Sequence, residues 1–149
     1  MHLENIESFQ VTGRMITTCN ADELQPDKAQ IGGLWQGFYA EVAPKTAVDS
    51  KFYGVYTNYE SDHNGLYDLW AATDGKLTDI EGNLEVFTVP AGKYLVFSAA
   101  GSMPQTVIEL WQEIWSFFGQ TTVEYKRIFK TDFEYYKGNE EVDIYISVE

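Results

Sequence analysis

The residues with most chemical character lie near the C-terminus, in the β-rich runs 132–136 and 142–148. Strand side chains alternate between two faces. In the second run Ile144, Ile146 and Val148 form an apolar face suited to lying under helices, so Asp143, Tyr145 and Ser147 point the other way. In the first run Phe133 and Tyr135 share one face, Glu134 and Tyr136 the other. With Glu134 facing away from the helices, it lies among Tyr136 and Tyr145, with Asp143 nearby. Tyr56, Asp68 and Trp70, from two earlier β-rich runs, are expected on the same side. A carboxylate ringed by aromatic side chains is suited to an organic cation. Coulomb attraction strengthens as water leaves, and each ring face adds about 0.5–2 kcal/mol. The competing reading is a solvated sheet face, where Glu134 is one surface acid among 23 acidic residues and the tyrosines reflect β propensity. The pattern alone leaves both open.

Trp111 and Trp115 are candidates for the floor of such a pocket, with ordinary helix-to-sheet packing as the alternative. Other chemistries find less support. His2 and His63 are the only histidines, and neither has a Cys or second His spaced for a metal. The stretch 74–79 has Asp79 where a calcium loop needs glycine. Ser98, Ser102 and Cys19 have no base beside them in sequence, so no catalytic residue is assigned. No metal and no cofactor is expected.

Composition narrows the partners. Ten Lys and Arg stand against 23 Asp and Glu, a formal net charge of −13. Such a field repels nucleic acid, whose binding rests on Lys and Arg neutralising phosphates. A cationic partner is attracted, although acidity can equally serve solubility alone. The chain carries 23 aromatic residues among 149, more ring surface than one small core requires. Tyr and Trp seek polar partners when buried, so half-dry surfaces are implied. Cys19 is the sole cysteine, which fits a reducing compartment. The N-terminus lacks the pattern of a secretory signal, and no apolar run approaches the roughly 18 residues of a membrane span. A soluble cytoplasmic protein is expected.

The elements that must position these residues follow from periodicity. Residues 9–18 read as a strand. Ile31, Leu34, Trp35, Phe38 and Val42 place a helix over 28–42. The runs 51–59 and 66–72 form a hairpin, residues 74–83 a linker, and 84–88 and 94–99 two strands. Val107, Leu110, Trp111, Ile114 and Phe118 define a second helix, begun near Pro104 and stopped by Gly119. A second hairpin closes the chain. The order strand, helix, strand, strand thus occurs twice. Leu34-Trp35-Gln36 recurs as Leu110-Trp111-Gln112, and Asp68-Leu69-Trp70 aligns with Asp143-Ile144-Tyr145 at nearly the same offset. Duplication explains two such matches in order better than chance does. The expectation is one α+β domain spanning residues 1–149, with pseudo-repeats 5–73 and 84–149. Its duplicated βαββ halves join in one antiparallel sheet or partial barrel, with both helices packed on one face.

Two βαββ halves, the LW-containing helices, the turn VPAGKY at 89–94 and the closing FEYYKGNEEVDIYISV together resemble the GyrI-like family over essentially the whole chain. That family includes the effector-binding domains of AraC-type regulators and of multidrug-sensing regulators such as BmrR. The resemblance implies a groove between the halves that binds hydrophobic, often cationic, small molecules. It also implies a charge-recognising acid in the penultimate strand, matched here by Glu134. Ser147 stands where the family commonly has proline. Family regulators carry a DNA-binding helix-turn-helix on the same chain. This sequence begins directly in the effector domain, so it looks like a stand-alone drug-binding module of the mobile integron-cassette kind, acting alone or with a separate regulatory protein. Two alternatives come with the resemblance: a small-molecule hydrolase using Glu134, or a gyrase-inhibitor-like protein that docks its acidic surface on a basic partner.

Overall fold

The computed structural model describes residues 1–77 and 84–149. Eight strands form one antiparallel sheet: β1 (His2–Ile6), β2 (Phe9–Thr18), β3 (Phe52–Thr57), β4 (Tyr67–Thr73), β5 (Glu85–Val89), β6 (Gly92–Ala100), β7 (Thr131–Tyr136) and β8 (Glu141–Ser147). Helices α1 (Asn20–Glu23) and α2 (Ile31–Glu41) follow β2, and α3 (Gln105–Phe118) follows β6. The strand order is β1-β6-β8-β7-β3-β4-β2-β5. It reads as two similar sets of strands meeting at the β3–β7 pair. The linker expected over 74–83 falls partly outside the described residues; its Leu77 bridges Thr46.

The sequence reading missed β1, and the structure shows why it matters. β1 precedes β2 in the chain but pairs with β6, while β5 precedes β6 but pairs with β2. Each half therefore lends its leading strand to the other. Only Glu7 and Ser8 join β1 to β2, a link that spans at most about 11 Å. In a flat sheet those strands, six spacings apart, would be separated by about 29 Å. The sheet must curl. Aromatic contacts on its inner side confirm it: Phe9 of β2 meets Phe133 of β7 at 5.4 Å between ring centroids, although β4 and β3 lie between those strands in the sheet.

Both faces of the curled sheet are dry. On one, α3 buries Val107, Leu110, Trp111 and Ile114 against Leu95, Phe97, Ile144 and Ile146, while α2 buries Leu34 and Phe38 against Leu69 and Ala71. The opposite face holds Val11, Tyr53, Val55, Trp70, Tyr94 and Phe133. Helix α2 starts at Ile31, three residues later than periodicity suggested. The amides of Gln30 and Ile31 donate to the Glu23 carboxylate at 3.0–3.1 Å. An acid from α1 thus satisfies the free N–H groups that open α2 and complements its dipole.

Candidate functional site

The site lies at the junction of the two halves, on the helix face. Glu134 of β7 is 2% exposed, and its carboxylate takes three neutral donors. Tyr56 Oη and Trp111 Nε1 donate to Oε2 at 2.9 and 2.8 Å, and Tyr136 Oη donates to Oε1 at 2.9 Å. These come from β3, α3 and β7, so the acid is held from both halves. Directly across the ladder from Glu134 is Gly54. A Cβ there would overlap Glu134 Oε1 and press on the Trp35 ring. Glycine makes the room that the carboxylate fills.

Aromatic side chains close the site. Tyr56 and Trp111 meet at 5.0 Å, Trp35 and Tyr136 at 5.4 Å, and Tyr39 stacks on Trp35 at 5.7 Å. Trp35, Tyr56 and Tyr136 are half-buried and Tyr39 is exposed, so the rings form a cover between Glu134 and solvent. Among the described residues no Lys or Arg forms an ion pair with Glu134. An ionised acid buried without a countercharge is costly.

Burial accordingly raises the Glu134 pKa above its ordinary value of 4.5, outweighing the donors from Trp111, Tyr136 and Tyr56, which lower it. Burial first, and then the charge of Glu134, holds the phenols of Tyr56 and Tyr136 well above 10, so both remain protonated donors. A stability prediction follows. With its pKa raised on folding, Glu134 binds its proton more tightly in the native state than in the unfolded chain. Its penalty is absent below the unfolded pKa and grows as pH rises through the folded one. Urea unfolding of the parent and of Glu134→Gln, compared across pH, should show the parent losing ground to the variant as pH rises. A difference that is flat, or that shrinks with rising pH, would mean the carboxylate is not desolvated at a cost.

Of the residues singled out from sequence, the structure brings Glu134, Tyr56, Tyr136 and Trp111 together. Trp115 sits one helical turn beyond Trp111, 6.2 Å away, where it stacks on His63. Tyr145 and Trp70 do not join them. Glu134 pairs across the ladder with Ile144, and Phe133 pairs with Tyr145. Residues opposite each other share a face, so Glu134 lies on the helix face and Tyr145 on the other. There Tyr145 stacks on Phe133 at 4.4 Å, and Trp70 packs on Phe87 at 5.4 Å. Asp143 and Asp68 go with them, held by Lys137 and by Thr17 and Asn58 respectively. The expectation that Glu134 faces away from the helices is therefore corrected. Alternation orders residues within a strand, but only register relates one strand to the next.

The sequence reading also missed Trp35, Tyr39 and Gly54. For Trp35 a signal existed, because it is the repeat counterpart of Trp111, the helix residue that binds Glu134. Among the described residues, no group of three or more His, Cys, Asp or Glu is placed to hold a metal ion. No helix among them is long and apolar enough to cross a membrane.

A curled sheet of two similar halves, with two helices framing a buried carboxylate under a cover of rings, is the architecture of a small-molecule effector-binding domain. The chain belongs to the Cass2 family of integron-associated effector-binding proteins, whose pattern it matches over residues 2–148. It is 45% identical to the Vibrio cholerae integron cassette protein VCH_CASS2, with a TM-score of 0.92 covering 99% of this chain and 95% of the other. It is 28% identical to YobU of Bacillus subtilis, a protein named for a proposed role in transcriptional regulation, over 99% of this chain and 96% of that one. The fold is shared with SAV2435, solved bound to tetraphenylphosphonium, at 23% identity and a TM-score of 0.74 over 99% of this chain and 93% of the other. The protein is thus a small-molecule-binding module related to transcriptional regulators.

Proposed function

We propose that the chain binds a hydrophobic organic cation at Glu134, in the groove between α2 and α3. The observation that carries this reading is a buried carboxylate with neutral donors, aromatic walls and no basic partner among the described residues. A bound cation supplies the missing charge, and the faces of Trp35, Tyr56, Trp111 and Tyr136 supply cation–π attraction. A delocalised cation suits the site because it sheds its hydration cheaply. The ligand reaches the acid by parting the ring cover, chiefly Trp35 and the exposed Tyr39. The tetraphenylphosphonium complex of SAV2435 supports the same class of ligand. The kinship with YobU supports a sensing role, in which a separate regulatory protein reads the liganded state. The single free Cys19 fits a cytoplasmic setting.

Size-matched ions of opposite charge test the reading. Tetraphenylphosphonium should bind and quench tryptophan fluorescence, because Trp35 and Trp111 flank Glu134. Tetraphenylborate has nearly the same shape and should bind at least tenfold more weakly. Equal affinity for the two would leave a greasy pocket and remove Glu134 from recognition.

A further inference from the structure

A cavity of about 450 Å³ opens between the C-terminal end of α3, the segment leading into β7, and the turn between β3 and β4. Its volume lies within the range of small-molecule pockets. Trp115, His63, Tyr125 and Phe129 supply rings to its wall, and Asp62 and Glu124 supply acids. None of the three donors to Glu134 lines it, so it is a separate place on the molecule.

The charge of the lining follows from who pairs with whom. Arg127 borders the cavity, but its guanidinium is answered at 2.9 Å by Asp132, which lies two residues before Glu134 on β7. The side chains of that pair are 4% and 0% exposed. Lys126, also in the lining, is met by the Glu149 carboxylate at 3.5 Å. Asp62 and Glu124 form no ion pair among the described residues. Asp62 accepts from the neutral backbone amide of Asn64 at 2.9 Å. The lining is therefore acidic, with two carboxylates, brought from different elements, left without a countercharge.

The rings beside those acids are held from outside the cavity. His63 lies 6.2 Å from Trp115, with the two planes 24° apart. Its carbonyl accepts from Asn20 Nδ2 at 2.8 Å, and Asn20 Oδ1 accepts from Tyr67 Oη at 2.9 Å, which ties the turn to α1 and β4. Phe129 holds a left-handed backbone, φ 52°, which is unfavourable for a bulky residue. Its ring lies 4.3 Å from the Arg127 guanidinium. Trp111 and Ile114 of α3 are buried, whereas Trp115 is half-buried and borders the cavity. Half-open rings beside unpaired acids are the two components of cation recognition.

We propose that this cavity is a second ligand site, for a flat aromatic cation. The ligand lies against Trp115 and His63, whose planes are near parallel, and its positive charge is held toward Asp62 and Glu124. A flat neutral molecule gains the ring contacts but not the attraction to the acids, and an anion is repelled. Tetraphenylphosphonium, with four rings set tetrahedrally, cannot lie flat here and reports on the Glu134 site alone. The assignment does not depend on what binds at Glu134.

The test uses the full chain at physiological salt and two probes of one shape, 10-methylacridinium and acridine, in slightly alkaline buffer where acridine is uncharged. By calorimetry, Glu134→Gln should keep one site for 10-methylacridinium, and the parent saturated with tetraphenylphosphonium should show the same site within twofold in affinity. Acridine should bind there at least fivefold more weakly. Added to Glu134→Gln, Trp115→Leu keeps apolar bulk on α3 but removes the ring, and should weaken the cation at least tenfold. Phe129→Gly should weaken it as well, and it should fold readily because glycine suits the left-handed backbone. Asp62→Asn with Glu124→Gln should weaken it at least threefold, whereas Glu140→Gln, in the turn between β7 and β8, should change it less than twofold. Absent binding of 10-methylacridinium to Glu134→Gln, equal binding of acridine, or indifference to both ring variants would overturn the proposal. A Glu140→Gln effect as large as that of the acid pair would overturn it too, assigning the binding to the general acidic field. Tetraphenylphosphonium titration of the parent judges the Glu134 site separately.

Discussion

Glu134→Gln is expected to weaken tetraphenylphosphonium binding by roughly 10- to 150-fold. The substitution keeps shape and an acceptor but removes the charge that pairs with the cation. Interactions with a charged, desolvated group are worth about 1.5–3 kcal/mol, which sets that range. The folded state should be no less stable, because the variant removes a buried acid for which no basic partner exists among the described residues. Its amide introduces two donors among Tyr56, Trp111 and Tyr136, whose own groups now donate to the carboxylate. The tyrosine hydroxyls can turn to accept, while the Trp111 N–H cannot, so the gain is expected to be small. Glu140, exposed in the turn between β7 and β8, is the control for the general acidic field. Its Gln variant should alter affinity far less than tenfold at physiological salt, where exposed charges are screened beyond about 8 Å. If Glu140→Gln weakens binding as much as Glu134→Gln does, recognition belongs to the overall charge and not to the buried acid.

Most of the architecture was legible from residues whose pattern is local. The 3.6-residue spacing of Val107, Leu110, Trp111 and Ile114 marks α3 within a residue of its true start. The β-rich runs mark seven of the eight strands directly, and the recurrent Leu-Trp-Gln aligns the two helices. For Glu134 the pattern of an acid among rings left a solvated sheet face equally open, and the family resemblance was what singled it out. What failed was non-local. The face of Glu134 depends on pairing with Ile144 and Gly54, and register is set by the whole sheet rather than by either strand. The sequence suggested a polar sheet face bearing the acid, because carboxylates normally avoid the side that helices cover. Here the rule is inverted. The helix face is split where α2 and α3 part, and the acid sits in the split, while the opposite face closes as an aromatic core. β1 was illegible for a related reason: HLENI has weak alternation, and its partner β6 lies some ninety residues on.

Arg127→Met is expected to destabilise the protein by about 3 kcal/mol, near the lower end of the cost of removing one partner from a buried ion pair. The parent pair is nearly sealed, with side-chain exposures of 4% for Arg127 and 0% for Asp132. Removing the cation leaves Asp132 buried without countercharge. The penalty stays at the lower end because Tyr59 and Ser147 still donate to it. Methionine retains much of the apolar stem beside Phe129, so the loss is chiefly electrostatic. For a domain of this size the melting temperature should fall by roughly 6–12 °C. Adding Asp132→Asn should recover at least half of the loss. Its side-chain oxygen can still accept from the Ser147 amide, and its NH2 can donate to Tyr59. Such recovery distinguishes a stranded charge from lost packing, since the second substitution restores no contact that methionine lacks. A single variant within 1 kcal/mol of the parent would show that Asp132 does not need its cation. A double variant no more stable than the single would assign the effect to packing around Phe129 and Trp111. The same pair explains how two acids on one strand face come to differ. Arg127 answers the charge of Asp132 from within the chain, whereas Glu134 has three neutral donors and no basic partner among the described residues.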